Sequence, residues 1–268
     1  MTLENAIILT QASLSGAYRR VTLRCPAVCA VAEPGQFVHV RIPALHPGAL
    51  RRPLSLCKVE GDTLTLLYKI VGQGTEALAR MKAGEAVNLL GPLGRGFPVG
   101  ERTQNPEPRT QNEAFPVLVG GGYGVAPLLF LAMRLKRKGA VFMGGRTKED
   151  IMLTEEFAAL GWDVRLATED GSVGTKGYVT NAILGSGFCV LGSPVVFYAC
   201  GPDGMLRAVG ELAQKMDCAA WLSLDKHMGC GVGACLACIQ TLRKPDGTEW
   251  VGRVCKDGPV FEAREIVW

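Results

Sequence analysis

The chain has 268 residues, 48% of them hydrophobic and 20% charged, with a formal net charge of +4. That length holds two or three compact domains, and that composition excludes a disordered chain. The positive surplus is too small to argue for nucleic acid as a partner.

In chain order, residues 1–100 read as β structure. Segments 18–24, 36–42 and 63–71 are rich in β-branched and aromatic residues, and Gly-Asp and Pro-Gly turns separate them. Short, evenly spaced strands predict an antiparallel barrel. A short helix is expected over residues 74–81. Residues 101–114 are polar and repeat Arg-Thr-Gln-Asn at 102–105 and 109–112, as expected of a linker or insertion between domains. From Phe115 the pattern becomes strands at 115–120, 140–143, 163–168 and 195–199, with helices at 126–138, 154–160 and 204–216. This predicts a parallel sheet wound with helices over residues 115–221. Two uncharged runs, 114–133 and 177–202, are long enough to cross a bilayer. Glycines and prolines break both, so they read as buried strand, turn and helix. The N-terminus carries no basic region leading into an apolar one. The expectation is a soluble, cytoplasmic chain that does not enter a membrane.

Residues 222–268 form the last unit. Here Cys230-Gly-Val-Gly-Ala-Cys235-Leu-Ala-Cys238 is followed, after sixteen residues, by Cys255. This C-x4-C-x2-C…C spacing is the plant-type ferredoxin order, with two thiolates for each iron of a 2Fe–2S cluster. Gly229, Gly231 and Gly233 let the backbone wrap closely round an inorganic core. A structural zinc site is the alternative, although zinc usually takes two C-x2-C pairs and only one is present. Strands at 239–244 and 248–254, joined by Pro245-Asp246-Gly247, would return Cys255 to the other three. The remaining cysteines, Cys25, Cys29, Cys57, Cys189, Cys200 and Cys218, show no ligand spacing and read mostly as small core residues.

Two further regions suit nucleotides. Arg51-Arg52-Pro53-Leu54-Ser55, placed between two barrel strands, offers a guanidinium for a flavin pyrophosphate and a hydroxyl for the ring. Gly72-Gln73-Gly74-Thr75 opens the short helix and presents N–H groups to phosphate. Gly120-Gly121-Gly122-Tyr123-Gly124-Val125-Ala126-Pro127 joins a strand to a helix. It departs from G-x-G-x-x-G but still places a glycine turn at a helix N-terminus. Arg146 and Lys148 stand where an acidic ribose ligand is expected, which leaves NADPH open beside NADH. Cys200-Gly201-Pro202-Asp203-Gly204-Met205 closes a later strand and would let the backbone approach a nicotinamide. Taken singly, each block is also accounted for as an ordinary turn.

Together these blocks resemble the ferredoxin–NADP reductase superfamily with a C-terminal ferredoxin-like extension. More narrowly, the chain is similar to the electron-transfer subunits of class 1B dihydroorotate dehydrogenases. The resemblance covers nearly the whole chain and adds Leu67-Tyr68-Lys69, Leu90-Gly-Pro-Leu-Gly94, Arg146-Thr-Lys-Glu-Asp150, Thr168-Glu-Asp-Gly171 and Val254-Cys-Lys-Asp-Gly-Pro-Val-Phe261. Two features depart from the family pattern: the insertion at 101–114, and Leu54 in place of a larger or β-branched residue.

The resemblance implies an FAD-binding barrel, an NAD-binding α/β domain and a small 2Fe–2S domain. It implies FAD at Arg52, Pro53, Leu54, Ser55, Leu67, Tyr68, Lys69, Gly74 and Thr75. It implies NAD(H) at Gly122, Gly124, Pro127, Cys200, Gly201 and Pro202, and cluster ligation by Cys230, Cys235, Cys238 and Cys255. The implied path runs from dihydroorotate through FMN in a separate catalytic subunit, to the cluster, to FAD and to NAD+, in a heterotetramer with two of each subunit. A flavin subunit of a hydrogenase or ferredoxin–NADP oxidoreductase complex shares these modules. A zinc-stabilised, nucleotide-binding regulatory protein is the alternative from another class. The three histidines, His39, His46 and His227, form no catalytic arrangement with a carboxylate or nucleophile. His227 reads as a surface or supporting residue beside the cysteines.

Overall fold

The computed structural model describes residues 1–43, 46, 48–99, 114–187 and 194–268. The tandem repeat at 102–112 and Cys189 lie outside the described residues.

Six antiparallel strands, β1 (Thr2–Ser13), β2 (Tyr18–Arg24), β3 (Phe37–Arg41), β4 (Arg52–Glu60), β5 (Thr63–Lys69) and β6 (Ala86–Leu93), close into a barrel in the order β1-β2-β5-β4-β3-β6. Alternation drives the closure. In β5, Leu64 and Leu66 are buried while Thr63 and Thr65 are not, as a two-residue side-chain period requires. Three barrel strands, β1, β4 and β6, were not named from the sequence. β1 carries Glu4 and Asn5 among its apolar residues, and β6 contains Pro92, which argues against a central strand.

The second layer is a seven-stranded sheet of β7 (Phe115–Gly121), β8 (Ala140–Gly145), β9 (Asp163–Thr168), β10 (Thr175–Lys176), β11 (Val195–Cys200), β12 (Ala219–Ser223) and β15 (Val260–Glu262), in the order β10-β9-β8-β7-β11-β12-β15. All pairings are parallel except β12 with β15. Every residue of β11 is buried, as expected of a strand covered on both faces. The first uncharged run forms β7 and the helix Val125–Arg134, and the described part of the second includes the helix Val179–Gly185 and β11. No helix among the described residues is long and apolar enough to cross a membrane.

The helix Val125–Arg134 ends four residues before the expected position 138. The basic run beyond it caps the helix instead of extending it. Lys138 Nζ donates to the carbonyls of Ala132 and Leu135 at 2.9 and 3.4 Å, which satisfies groups left open at a helix C-terminus. The same helix joins the layers, since Phe130 packs in the barrel core while Leu128 and Leu129 pack with the sheet.

After β12 the chain leaves the sheet, forms the cysteine loop and the hairpin β13 (Ile239–Arg243) and β14 (Glu249–Arg253), and returns as β15. The last unit is therefore stitched to the sheet, with Ser223 opposite Val260.

Candidate functional site

The first candidate site lies where β4 and β5 part. Their ladder runs from Glu60 opposite Thr63 to Leu56 opposite Leu66 and stops there. Beyond it, Arg52–Ser55 pair only with β3, and Leu67–Lys69 pair only with β2. Backbone groups on the facing edges of both strands are left open, which suits a flat polar ring. The sequence reading placed residues 51–55 between strands; in the structure β4 begins at Arg52. Pro53 is tolerated because this part of the strand has a neighbour on one side alone.

The two arginines divide the work. Arg51 turns inward: its Nη1 donates to the carbonyls of His39 and Asn88 at 3.1 and 2.9 Å, and its Nη2 to Asn88 Oδ1 at 2.5 Å. Arg52 lies over Gly74 instead, where a built Cβ would overlap its Nε and stand 2.7 Å from Cζ. Thr75 is buried beside it, accepting from the Val71 N–H at 3.0 Å and donating to the Gly72 carbonyl at 3.1 Å. A guanidinium, a bare glycine and a helix start thus meet at one place, a fit for a pyrophosphate. Leu67 and Lys69 face the α/β layer. The Tyr68 ring does not: it is buried in the barrel core, and its hydroxyl accepts from Gln11 Nε2 at 3.0 Å. Only its backbone faces the open edge, because alternate residues of a strand point to opposite sides.

The second site is a cavity of about 920 Å³ at the C-terminal ends of the parallel strands. It sits where the strand order reverses between β7 and β11, the usual ligand crevice of such sheets. Gly122, Gly124, Cys200, Gly201 and Pro202 line it; Pro127 does not, being buried in the first turn of its helix. The glycines are needed for backbone contact. A Cβ on Gly124 would run into the Cys200 carbonyl, and one on Gly121 would stand 2.7 Å from Pro202 Cδ. Burial pushes the Cys200 thiol up to about 12, so it stays protonated.

Sequence reasoning did not single out Tyr18, Tyr178 or Asp225, which also line the cavity, as does Tyr123 within the glycine turn. The first three come from distant segments, and no local pattern marks them. The Tyr18 hydroxyl donates to Asp150 Oδ1 at 2.6 Å, and Lys69 Nζ approaches both atoms at 3.2 and 3.4 Å, tying barrel to sheet. Burial pushes the Asp150 carboxyl up, but the Tyr18 hydroxyl, the Arg146 amide and Lys69 more than offset this and hold it below the usual carboxylate range.

The third site is the cysteine loop. The thiols stand as two pairs, Cys230 with Cys235 and Cys238 with Cys255. Among the described residues no three His, Cys, Asp or Glu side chains converge as for a single ion. Amides converge on the sulfurs: Val232, Ala234 and Cys235 donate to Cys230 Sγ at 3.4, 3.2 and 3.4 Å, Cys230 to Cys235 Sγ at 3.4 Å, and Cys255 to Cys238 Sγ at 3.4 Å. Burial raises the Cys230 thiol, yet the amides prevail and bring it down to about 6, where it holds negative charge. Gly231 and Gly233 adopt φ of +71° and +84°, a conformation that glycine takes without strain. Paired thiolates wrapped in N–H donors fit a 2Fe–2S group. His39 in β3 packs on this loop. Burial and the charge of Arg51 lower it to about 4, so it is neutral. His227 is exposed.

Comparison with known proteins agrees with this geometry. The iron–sulfur cluster binding domain of dihydroorotate dehydrogenase B matches residues 225–267, and the oxidoreductase NAD-binding domain matches residues 118–211. The electron transfer subunit of dihydroorotate dehydrogenase B (NAD(+)) from Bacillus cereus (strain Q1) is 41% identical over 275 aligned positions, covering 100% of this chain and 99% of the relative. The chain belongs to the family of dihydroorotate dehydrogenase B electron transfer subunits. It is an oxidoreductase subunit, and its cofactors are FAD, a 2Fe–2S cluster and NAD(H).

A chain of the NADH-dependent reduced ferredoxin–NADP oxidoreductase superposes with a TM-score of 0.83 at 28% identity, covering 98% of this chain and 90% of that one. The ferredoxin NADP+ reductase of Neisseria gonorrhoeae, solved with bound FAD and NADP, shares the fold with a TM-score of 0.64 at 19% identity over 80% of this chain and 91% of its own. The ferredoxin–NADP oxidoreductase alternative shares this architecture, but the higher full-length identity favours the dihydroorotate dehydrogenase family. The match to an iron–sulfur family removes the zinc-stabilised regulatory alternative.

Proposed function

We propose that this chain is the NAD-linked part of a two-subunit dihydroorotate dehydrogenase of pyrimidine biosynthesis, joined to a separate FMN-containing subunit that oxidises dihydroorotate. The full-length 41% relationship carries this reading. When bound, FAD would exchange a hydride, which carries two electrons, with the nicotinamide and single electrons with the iron–sulfur group.

The chain's own residues bind, orient and shield. Arg52, Gly74 and Thr75 hold the FAD pyrophosphate, while Pro53, Leu54, Ser55 and the Leu67–Lys69 edge hold the ring. Gly122, Gly124, Cys200, Gly201 and Pro202 bring backbone against NAD(H), with Pro127 setting the helix behind them. Arg146 and Glu169 both line the cavity, so its charge does not choose between the two nucleotides, and the choice of NAD(H) rests on the NAD(+)-linked relatives. Cys230, Cys235, Cys238 and Cys255 ligate the cluster. The three units, 1–100, 115–221 and 222–268, take one cofactor each.

The partner docks over the cysteine loop. Leu236 is 60% exposed at its tip, and Ile239 and Val251 share the exposed face of the adjoining hairpin at 50% and 59%. Such an apolar patch beside a redox group suits a close protein contact. Two copies of each subunit in the cytoplasm complete the proposal.

The test is reconstitution with an FMN-containing dihydroorotate dehydrogenase subunit. The isolated chain should fail to oxidise dihydroorotate, and the mixture should reduce NAD+. A Cys235→Ser chain loaded with FAD should lose that coupled transfer. Transfer at the wild-type rate would remove the cluster from the path and overturn the reading.

A further inference from the structure

His39 is fully buried, and neither ring nitrogen completes a hydrogen bond of normal geometry among the described residues; the Cys230 backbone offers the ring a weak polar contact. An unpaired polar group in a core is costly. The other residues of its strand from Phe37 to Val40 are apolar and buried, so packing alone favours a valine or leucine at this position.

Its neighbours define its place. β3 pairs with β4 so that His39 stands opposite Pro53 and Phe37 opposite Ser55, on the strand beside the open flavin edge. The ring rests on Gly231, where a built Cβ would stand 2.6 Å from Nδ1. Gly231 follows Cys230 directly, so its missing side chain is what lets the ring reach the loop. Phe37 meets the imidazole edge-on, with centroids 6.5 Å apart and planes at 88°, and fixes its tilt. The ring is thus held between flavin strand and cysteine loop, its N–H beside the Cys230 backbone but without a full hydrogen bond.

We propose that His39 is a positioning residue for the iron–sulfur centre, donating its ring N–H to a sulfur at the Cys230 end of the cluster. This rests on the assignment of the cluster to Cys230, Cys235, Cys238 and Cys255. Hydrogen bonds to cluster sulfurs are among the terms that set its reduction potential. Such a bond strengthens as its acceptor gains negative charge, so the donor favours the reduced state.

The test uses the full chain with FAD and cluster bound. In protein labelled with 15N only at histidine, pulsed EPR of the reduced cluster should show a 15N coupling. The coupling should persist in His227→Ala and His46→Ala. A normal 2Fe–2S signal without the coupling overturns the proposal, whereas no 2Fe–2S signal at all refutes the cluster assignment instead. His39→Leu, which fills the space without an N–H, should shift the one-electron equilibrium about tenfold toward the oxidised form, a potential about 59 mV lower. His39→Gln restores a donor and should recover part of that shift. A His39→Leu potential equal to the wild type's overturns the proposal. Should His39→Leu lose its iron, the labelled wild type decides alone.

Discussion

Replacing Arg52 with alanine should loosen FAD, and the structure shows how to separate a pyrophosphate contact from a general loss of fold. The Arg52 guanidinium lies over Gly74, where a Cβ would overlap Nε. A hydrogen bond to a charged group contributes about 1.5–3 kcal/mol. Arg52→Ala should therefore raise the FAD dissociation constant roughly 10- to 150-fold. Gly74→Ala lies in a helix, where alanine is favoured over glycine, so its local effect on folding should be small. Its methyl group nonetheless pushes the guanidinium aside and should reproduce part of the loss. Because both changes act on one contact, Arg52→Ala/Gly74→Ala should bind FAD about as weakly as Arg52→Ala alone. Quenching of flavin fluorescence during titration of the stripped protein measures all four affinities. If Arg52→Ala binds within twofold of the wild type, or if Gly74→Ala costs as much in the Arg52→Ala background as in the native one, the assignment of this pocket fails.

Cys235→Ser should lose iron and sulfide together with its visible absorption. Cys218→Ser, outside the loop, should keep about two of each per chain; equal iron in both would displace Cys235 from the ligand set. The Asp150 carboxyl, buried between barrel and sheet, is held below its usual range. Its contribution to stability is therefore complete above the unfolded carboxylate value near 4 and is lost as pH falls through the lower folded value. Asp150→Asn should flatten that part of the urea-stability profile, and an acid limb identical to the wild type's would show that Asp150 stabilises nothing.

The sequence is most informative where chemistry is local. The cysteine spacing, the glycine turn at 120–124 and the alternation of β2 and β5 each lie within a few residues, and each is readable without a fold. What escapes it is long-range. Arg51 and Arg52 look alike in the sequence, and only the partner strands decide that one clamps Asn88 while the other reaches Gly74. Tyr68 belongs to a block that the resemblance gives to FAD, but strand alternation sends its ring to the core. Tyr18 and Asp150 meet across 132 positions, and His39 meets Gly231 across still more. β15 has three residues, too few to announce itself, yet it completes the sheet.

That last strand has a consequence for how the iron is acquired. The chain from Leu224 to Pro259 is an excursion whose two ends are already joined by the β12–β15 ladder, with the Leu224 N–H donating to the Pro259 carbonyl at 2.9 Å. The conformational entropy of bringing Cys255 back toward Cys230 is therefore met largely by sheet formation, before any metal arrives. Folding and metallation are separable events in such a design. The apo chain should keep its barrel and sheet and present a slack pouch, into which a preformed cluster can be transferred late.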